Sequence, residues 1–356
     1  MSDRLLLLGA LACGWLLVTL ATPPLADLCR RRGWLDHPSP RKIHHTPTPR
    51  LTGIALFIGI WGTLAIFVWL SPTHMREFSA NALPIAVGAL CVLILGIVDD
   101  LHPLRGWWKL AGEIASMIPL WLAGYAFDRL WIPFIGGVDL GWLSLPVTLF
   151  WYLSLLNAVN IIDGSDGLAV STTAVATLPV LWIAWRLGLH PIWIGAAGLV
   201  GALVGFWRFN RPPAQVFMGD SGALTLGYFF AVVALIAPIK RFTALAFFVP
   251  LIALFLPLVE SGISFGRRLI SGRSPVSADA SHLHHLLLRA GLGPYQLILA
   301  YALVTAVFGA MCVAFYYGNR RILAPVLAFF VLLLAGGLGM FLSRRLAGKS
   351  DGRKQQ

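Results

Sequence analysis

Residues 82–100 read ALPIAVGALCVLILGIVDD, an apolar run that ends in two adjacent aspartates. As a helix, Ala82–Val98 meets the length of about 17 residues that a crossing of the hydrocarbon core requires. The same form returns in LNAVNIIDGSDG (156–167), which carries Asp163 and Asp166, and in VFMGDSG (216–222), which carries Asp220. These five aspartates belong to a chain with only 15 acidic residues in 356. If the apolar runs cross a membrane, the function turns on whether all three carboxylate clusters emerge on the same side.

Composition supports the membrane reading. Hydrophobic residues make up 58% and charged residues 12% of the chain, a balance foreign to soluble domains. The mean hydropathy is +0.79. The net charge of +12 reads as loops facing anionic lipid, with the bilayer and not nucleic acid as the partner. The first residues resemble a signal peptide as well as a first span, and the many later spans favour the span. Cys13, Cys29, Cys91 and Cys312 form no CxxC pair, and three lie in apolar runs, which suggests neither a disulfide framework nor a zinc site.

The sequence predicts an all-α polytopic membrane protein of about eleven transmembrane helices. They fall near 5–26, 51–70, 81–98, 107–125, 142–161, 168–186, 191–207, 222–238, 242–262, 295–317 and 322–343. Residues 1–343 form one integral-membrane catalytic domain and 344–356 a basic cytoplasmic tail. Alternating the loops puts 19 of the Lys and Arg residues on one side and 8 on the other. The positive-inside rule makes the richer side cytoplasmic, with the N-terminus outside and the C-terminus inside. All five aspartates and seven of the nine histidines then fall on the cytoplasmic face, where the active site is expected. Residues 127–142, with GG between aromatic and β-branched residues, suggest a short surface hairpin.

Asp99 and Asp100 close a span, where the helix dipole disfavours anions. A solvated boundary is the bland reading; a cation or a shared proton is the functional one. Asn157, Asn160, Asp163 and Asp166 recur every three residues and would line one helical stripe if the helix persists, with Gly164 and Gly167 favouring a turn. Carboxylates with amide neighbours suit a hard cation such as Mg²⁺, with Mn²⁺ as the alternative. Asp220 sits where a span begins, as a plain N-cap or as a metal carboxylate beside a phosphate-binding helix end. His282, His284 and His285 lie among Arg267, Arg268, Arg273 and Arg289 and look like a diphosphate clamp. Arg41–Arg50, with His44, is a second basic segment, equally readable as a positive-inside loop. Together these parts suit transfer of a phosphorylated group onto a lipid acceptor at the cytoplasmic surface.

The chain resembles the polyprenyl-phosphate N-acetylhexosamine-1-phosphate transferases. The resemblance spans roughly residues 36–292 and rests on DHPSPRKIHHTPTPR, GIVDD followed by KLAGE, NAVNIIDGSDGLA, VFMGDSGALTLG and SPVSADASHLHHLLLRAGL, in that order. The histidine motif looks most like the bacterial undecaprenyl-phosphate N-acetylglucosaminyl-1-phosphate transferase branch. The resemblance implies a reaction in the bacterial inner membrane: UDP-N-acetylhexosamine and undecaprenyl phosphate give undecaprenyl-diphosphate-sugar and UMP, starting a cell-envelope glycan such as lipopolysaccharide. It places Asp220 and Asn160 on Mg²⁺, and Asp99, assisted by Asp100, on the acceptor phosphate. Asp163 and Asp166 join that catalytic set, with Lys109 neutralising charge nearby. Phe217 would lie against the uracil; His282, His284, His285, Asn157 and His44 would bind substrate. A homodimer is a further arrangement it admits.

Three departures from the family pattern bear on the choice of sugar: Glu113 for Gln, Glu260 for Asp, and Thr52 for Gly. UDP-MurNAc-pentapeptide is the alternative donor. A membrane transporter is the rival from another class, and it would be expected to keep its ionisable groups nearer mid-span.

Overall fold

The segment Gly219–Ile236 is apolar on every face beyond its polar first turns, and the fold buries it along nearly all its length. Among the described residues, three other α-helices make its main packing contacts. The computed structural model describes residues 2–37, 46–132, 136–236, 254–255, 258–259, 262 and 283–317. In chain order the helices are α1 (Asp3–Arg32), α2 (Ile54–Leu70), α3 (Arg76–Leu101), α4 (Gly106–Leu122), α5 (Ser144–Ile162), α6 (Leu168–Arg186), α7 (His190–Asn210), α8 (Gly219–Ile236), α9 (Leu283–Arg289) and α10 (Pro294–Tyr316). Eight helical segments among the described residues are long and apolar enough to cross a membrane. The predicted span 107–125 appears as α4, at 17 residues slightly shorter than those eight. The predicted span 322–343, most of 242–262, and the tail 344–356 lie outside the described residues.

Helix α8 packs on α3, α5 and α2, while α7 packs on α1, α6 and α2; α4 rests on α3, and α10 on α6. Small residues set the closest of these contacts. A Cβ on Gly14 of α1 would lie 2.0 Å from the carbonyl oxygen of Gly198 in α7, and one on Gly201 would lie 2.0 Å from that of Leu11. Backbone thus rests on backbone, as in small-residue packing of membrane helices.

One boundary differs from expectation. The first span was expected to end near residue 26, but α1 continues through Pro23 and Pro24 to Arg32. Ala26 and Cys29 keep its buried stripe going, and Arg30, Arg31 and Arg32 suit the negative end of the helix dipole. Gly33, with φ 71°, then ends the helix in the left-handed conformation.

Two small ladders complete the description. Strands β1 (Leu35–Asp36) and β2 (Thr48–Pro49) pair antiparallel and deliver Arg50 to the start of α2. Strands β3 (Arg129–Ile132) and β4 (Gly136–Asp139) form the expected hairpin between α4 and α5, with Arg129 opposite Asp139.

Candidate active site

The C-terminal ends of α3, α5 and α7 and the N-terminal ends of α2, α4, α6 and α8 meet at one end of the bundle. Alternating antiparallel helices joined by short connections require this, so the polar residues at those ends converge, Asp100 meeting the Asp220 amide across 120 positions.

Lys109, at the start of α4, stands between two carboxylates. Its Nζ is 2.9 Å from Oδ2 of Asp99 and 3.1 Å from Oδ2 of Asp220. The Asp99 and Asp220 carboxyl groups also approach within hydrogen-bonding reach of each other. Asn160, near the end of α5, donates from Nδ2 to Oδ1 of Asp220 at 2.7 Å. Oδ1 of Asp99 accepts the Leu104 amide at 2.7 Å, which folds the α3–α4 turn around the site.

Asp100 faces a different partner. Its oxygens accept the amides of Asp220 and Ser221 at 2.8 and 3.0 Å, and Nε of Arg50 lies 3.1 Å from Oδ1. The N-cap duty considered for Asp220 is therefore performed by Asp100 from a neighbouring helix. This leaves the Asp220 side chain to Lys109 and Asn160. Gly219 is required here twice over. Its φ is 62°, and a Cβ would sit 2.5 Å from Oδ1 of Asp100.

The expected stripe of Asn157, Asn160, Asp163 and Asp166 is cut. Helix α5 stops at Ile162, Asp163 caps it, and Gly167 takes φ 68° to start α6. The glycines at 164 and 167 thus win over the helical period. Asn160 reaches Asp220, whereas Asn157 donates to Oε2 of the buried Glu113 at 2.8 Å. Oε1 of Glu113 has no hydrogen-bond partner among the described residues. Asp166 turns to the α7–α8 connection and accepts the Ala214 amide at 2.9 Å.

Asp163 is half-buried yet closely ringed by protein. Desolvation is the main cause that pushes its pKa well above the ordinary carboxylate value; Asp220 and Asp100 add to the rise and Arg50 opposes it. Desolvation disfavours the Arg50 charge, but Asp100, Asp220 and Asp36 outweigh it and raise the guanidinium further. The donors gathered here are carboxylate and amide oxygens, a set that fits a hard divalent cation and not zinc.

The histidine motif reaches the same place. His284 is buried on α9, and a Cβ on Gly164 would lie 2.7 Å from its Nε2. The His285 ring lies 4.3 Å from that of His284, centroid to centroid. Phe217 is half-buried and held through its backbone: its amide donates to the Pro49 carbonyl at 2.8 Å, and its carbonyl accepts the Thr52 hydroxyl at 2.7 Å. The second basic segment thus touches the VFMGD loop through β2. His44, His282, Glu260, Arg267, Arg268 and Arg273 lie outside the described residues.

Arg50 enters the sequence reading only as the end of the basic segment 41–50, and Asn210 does not enter it at all. Arg50 pairs with Asp100. Asn210, buried at the end of α7, accepts the Gly167 amide at 3.1 Å and donates to the Val216 carbonyl at 2.9 Å, joining the two aspartate loops. A lone polar residue closing an apolar helix beside RPP is the only signal it gives.

Comparison with known proteins agrees with this geometry. Residues 82–238 match the model of Glycosyl transferase family 4. The chain is 32% identical over 296 residues to the Bacillus subtilis (strain 168) protein named "Probable undecaprenyl-phosphate N-acetylglucosaminyl 1-phosphate transferase", covering 82% of this chain and 80% of that one. It is 32% identical over 336 residues to the decaprenyl-phosphate N-acetylglucosaminephosphotransferase of Mycobacterium tuberculosis (strain ATCC 25618 / H37Rv), covering 86% and 82%. A phospho-N-acetylmuramoyl-pentapeptide-transferase of Lactobacillus johnsonii (strain CNCM I-12250 / La1 / NCC 533) is 34% identical over 192 residues, 51% of this chain and 59% of that one. With its carboxylate loops brought together at one end of an apolar helix bundle, the chain is an enzyme and belongs to the polyprenyl-phosphate N-acetylhexosamine-1-phosphate transferases of glycosyl transferase family 4.

Proposed function

We propose that the protein transfers N-acetylglucosamine-1-phosphate from UDP-N-acetylglucosamine to undecaprenyl phosphate in the bacterial inner membrane, with Mg²⁺. The observation that carries this reading is the Asp99–Lys109–Asp220–Asn160 constellation. It offers oxygen donors for a divalent cation and a cation for phosphate, at the end of an apolar bundle that a prenyl chain can lie against. Asp220 and Asn160 would hold the ion. When bound, the ion supplies charge neutralisation at the nucleotide diphosphate.

The chain's own groups do the rest. Asp99, fixed by the Leu104 amide, positions the acceptor phosphate beside Lys109. A phosphate oxygen of the acceptor forms a bond to the sugar-linked phosphorus, the bond from that phosphorus to the bridging oxygen breaks, and UMP leaves. A phosphate near neutral pH needs little deprotonation, so Asp99 acts by electrostatic positioning. His284 and His285, over the Asp163–Gly164 turn, face the donor's phosphates or sugar. N-acetylglucosamine is favoured over MurNAc-pentapeptide because the relatives named for the former align over most of this chain, and that named for the latter over half.

The test is UMP release by purified enzyme in detergent across a panel of UDP-sugars. UMP is expected from UDP-N-acetylglucosamine only when Mg²⁺ and a polyprenyl phosphate are both present. No UMP from any UDP-N-acetylhexosamine would sink the proposal.

A further inference from the structure

Seven of the nine histidines fall, by loop alternation, on the side of the carboxylate cluster; His74 and His190 do not. Those two meet. His74 lies in the turn after α2, His190 is the first residue of α7, and their ring centroids are 4.5 Å apart. Nε2 of His190 lies 3.6 Å from Oδ1 of Asp3, in the first turn of α1. One ligand atom from each of the three residues lies within 4.8 Å of the other two.

The bland account is an ion pair between Asp3 and His190. At 3.6 Å it is too long for a hydrogen bond, and among the described residues no hydrogen bond joins any two of the three side chains. Two imidazoles and a carboxylate thus face one another without satisfying one another, which a shared cation would do. The ring orientation is also supported from behind. Oγ of the buried Ser71 is 2.7 Å from Nδ1 of His74, which leaves Nε2 as the nitrogen available to coordinate. The His190 ring is backed by Trp193, 5.7 Å away. A hydrogen bond to the second ring nitrogen is the usual orienting device of a metal-bound histidine.

We propose that Asp3, His74 and His190 form a Zn²⁺ site at the end of the bundle opposite the carboxylate cluster. Helix α7 runs from His190 to Asn210, which at 1.5 Å per residue separates the two ends by roughly 30 Å. Two nitrogens, one carboxylate oxygen and an open fourth position suit Zn²⁺. Mg²⁺ prefers oxygen alone, so it competes poorly for this nitrogen-rich site. Zinc here ties α1, the α2–α3 turn and α7 together and acts as a staple.

The experiment uses the full chain with a histidine-free affinity tag, stripped with chelator and kept in excess Mg²⁺ to mask the carboxylate end. Zn²⁺ is titrated by competition with a chromogenic chelator, and melting is followed with and without the metal. One Zn²⁺ per chain and a raised melting temperature are expected. In the His74→Ala/His190→Ala double variant the affinity falls by about 100-fold or more and the metal-dependent shift vanishes; Ser71→Ala weakens binding about tenfold. A double variant that binds as wild type does, or a wild type that does not bind, overturns the site. Melting of every variant in chelator alone separates metal loss from misfolding, because a packing role would lower both curves equally.

Discussion

Asp100 and Asp220 are joined through the backbone: Oδ1 of Asp100 accepts the amide of Asp220, and Oδ2 accepts that of Ser221. The first carboxylate anchors the start of α8; the second is thereby presented to the site. Substituting them should separate stability from turnover. Asp100→Asn leaves Arg50 without its charge partner and opposes an amide NH₂ to the α8 amides, at a cost on the order of 3 kcal/mol. Its melting temperature should fall by several degrees. Asp220→Asn should melt close to wild type yet lose at least about 100-fold in UMP release. Equal melting of the two variants would contradict this division of labour.

Lys109 occupies the point between Asp99 and Asp220. Lys109→Ala removes a cation that a metal has to compete with, so the Mg²⁺ concentration giving half-maximal activity should fall even as kcat drops by about 100-fold. A titration of Mg²⁺ at saturating substrates measures both. A rise in the Mg²⁺ requirement would show that Lys109 supports metal binding instead.

Asp163 holds its proton more tightly in the folded protein than in the unfolded one. Its contribution to stability is fully present below the ordinary aspartate value of about 3.9 and is lost as pH rises through the raised folded value. Chelator-treated enzyme should therefore melt higher at about pH 5 than at about pH 7. Excess Mg²⁺ should flatten that slope by neutralising the neighbouring carboxylates, and Asp163→Asn should reduce it. A wild-type melting temperature that climbs over this range would count against the assignment.

Gly164 makes room for His284. A methyl group there would stand 2.7 Å from Nε2 of His284, so Gly164→Ala must move the imidazole or the turn. KM for the UDP-sugar should rise several-fold or more, about one kcal/mol of binding for each fivefold. KM for the polyprenyl phosphate should stay near wild type. A matched rise in both would mean that the turn, not the histidine, had been disturbed.

The membrane class and the gathering of the aspartates were legible because both follow from local signals. Apolar runs of span length alternate with basic loops, and alternation alone sends Asp99, Asp163 and Asp220 to the same end. The division of roles was not legible. Which of Asp99 and Asp100 faces Lys109 depends on the rotation of α3 against α8, fixed by the close approach at Gly96, where a Cβ would lie 2.4 Å from Cα of Ser221. Nor does residue spacing say that α5 stops at Ile162; glycine in the left-handed region decides that. Glu113 stands out in the sequence as a departure from the family and as an acid inside a span, but its bond to Asn157 crosses 44 positions.

The seam at Gly14, Gly198 and Gly201 bears on how the enzyme tolerates leaving its lipid. Contacts of backbone on backbone draw on dispersion and shape, which lipid tails and detergent chains reward alike. They do not depend on hiding apolar surface from water. Helices α1 and α7, and the crossing of α3 over α8 at Gly96, should therefore keep their relative placement when the bilayer is exchanged for a micelle. The frame that positions the carboxylates travels with the protein through solubilisation.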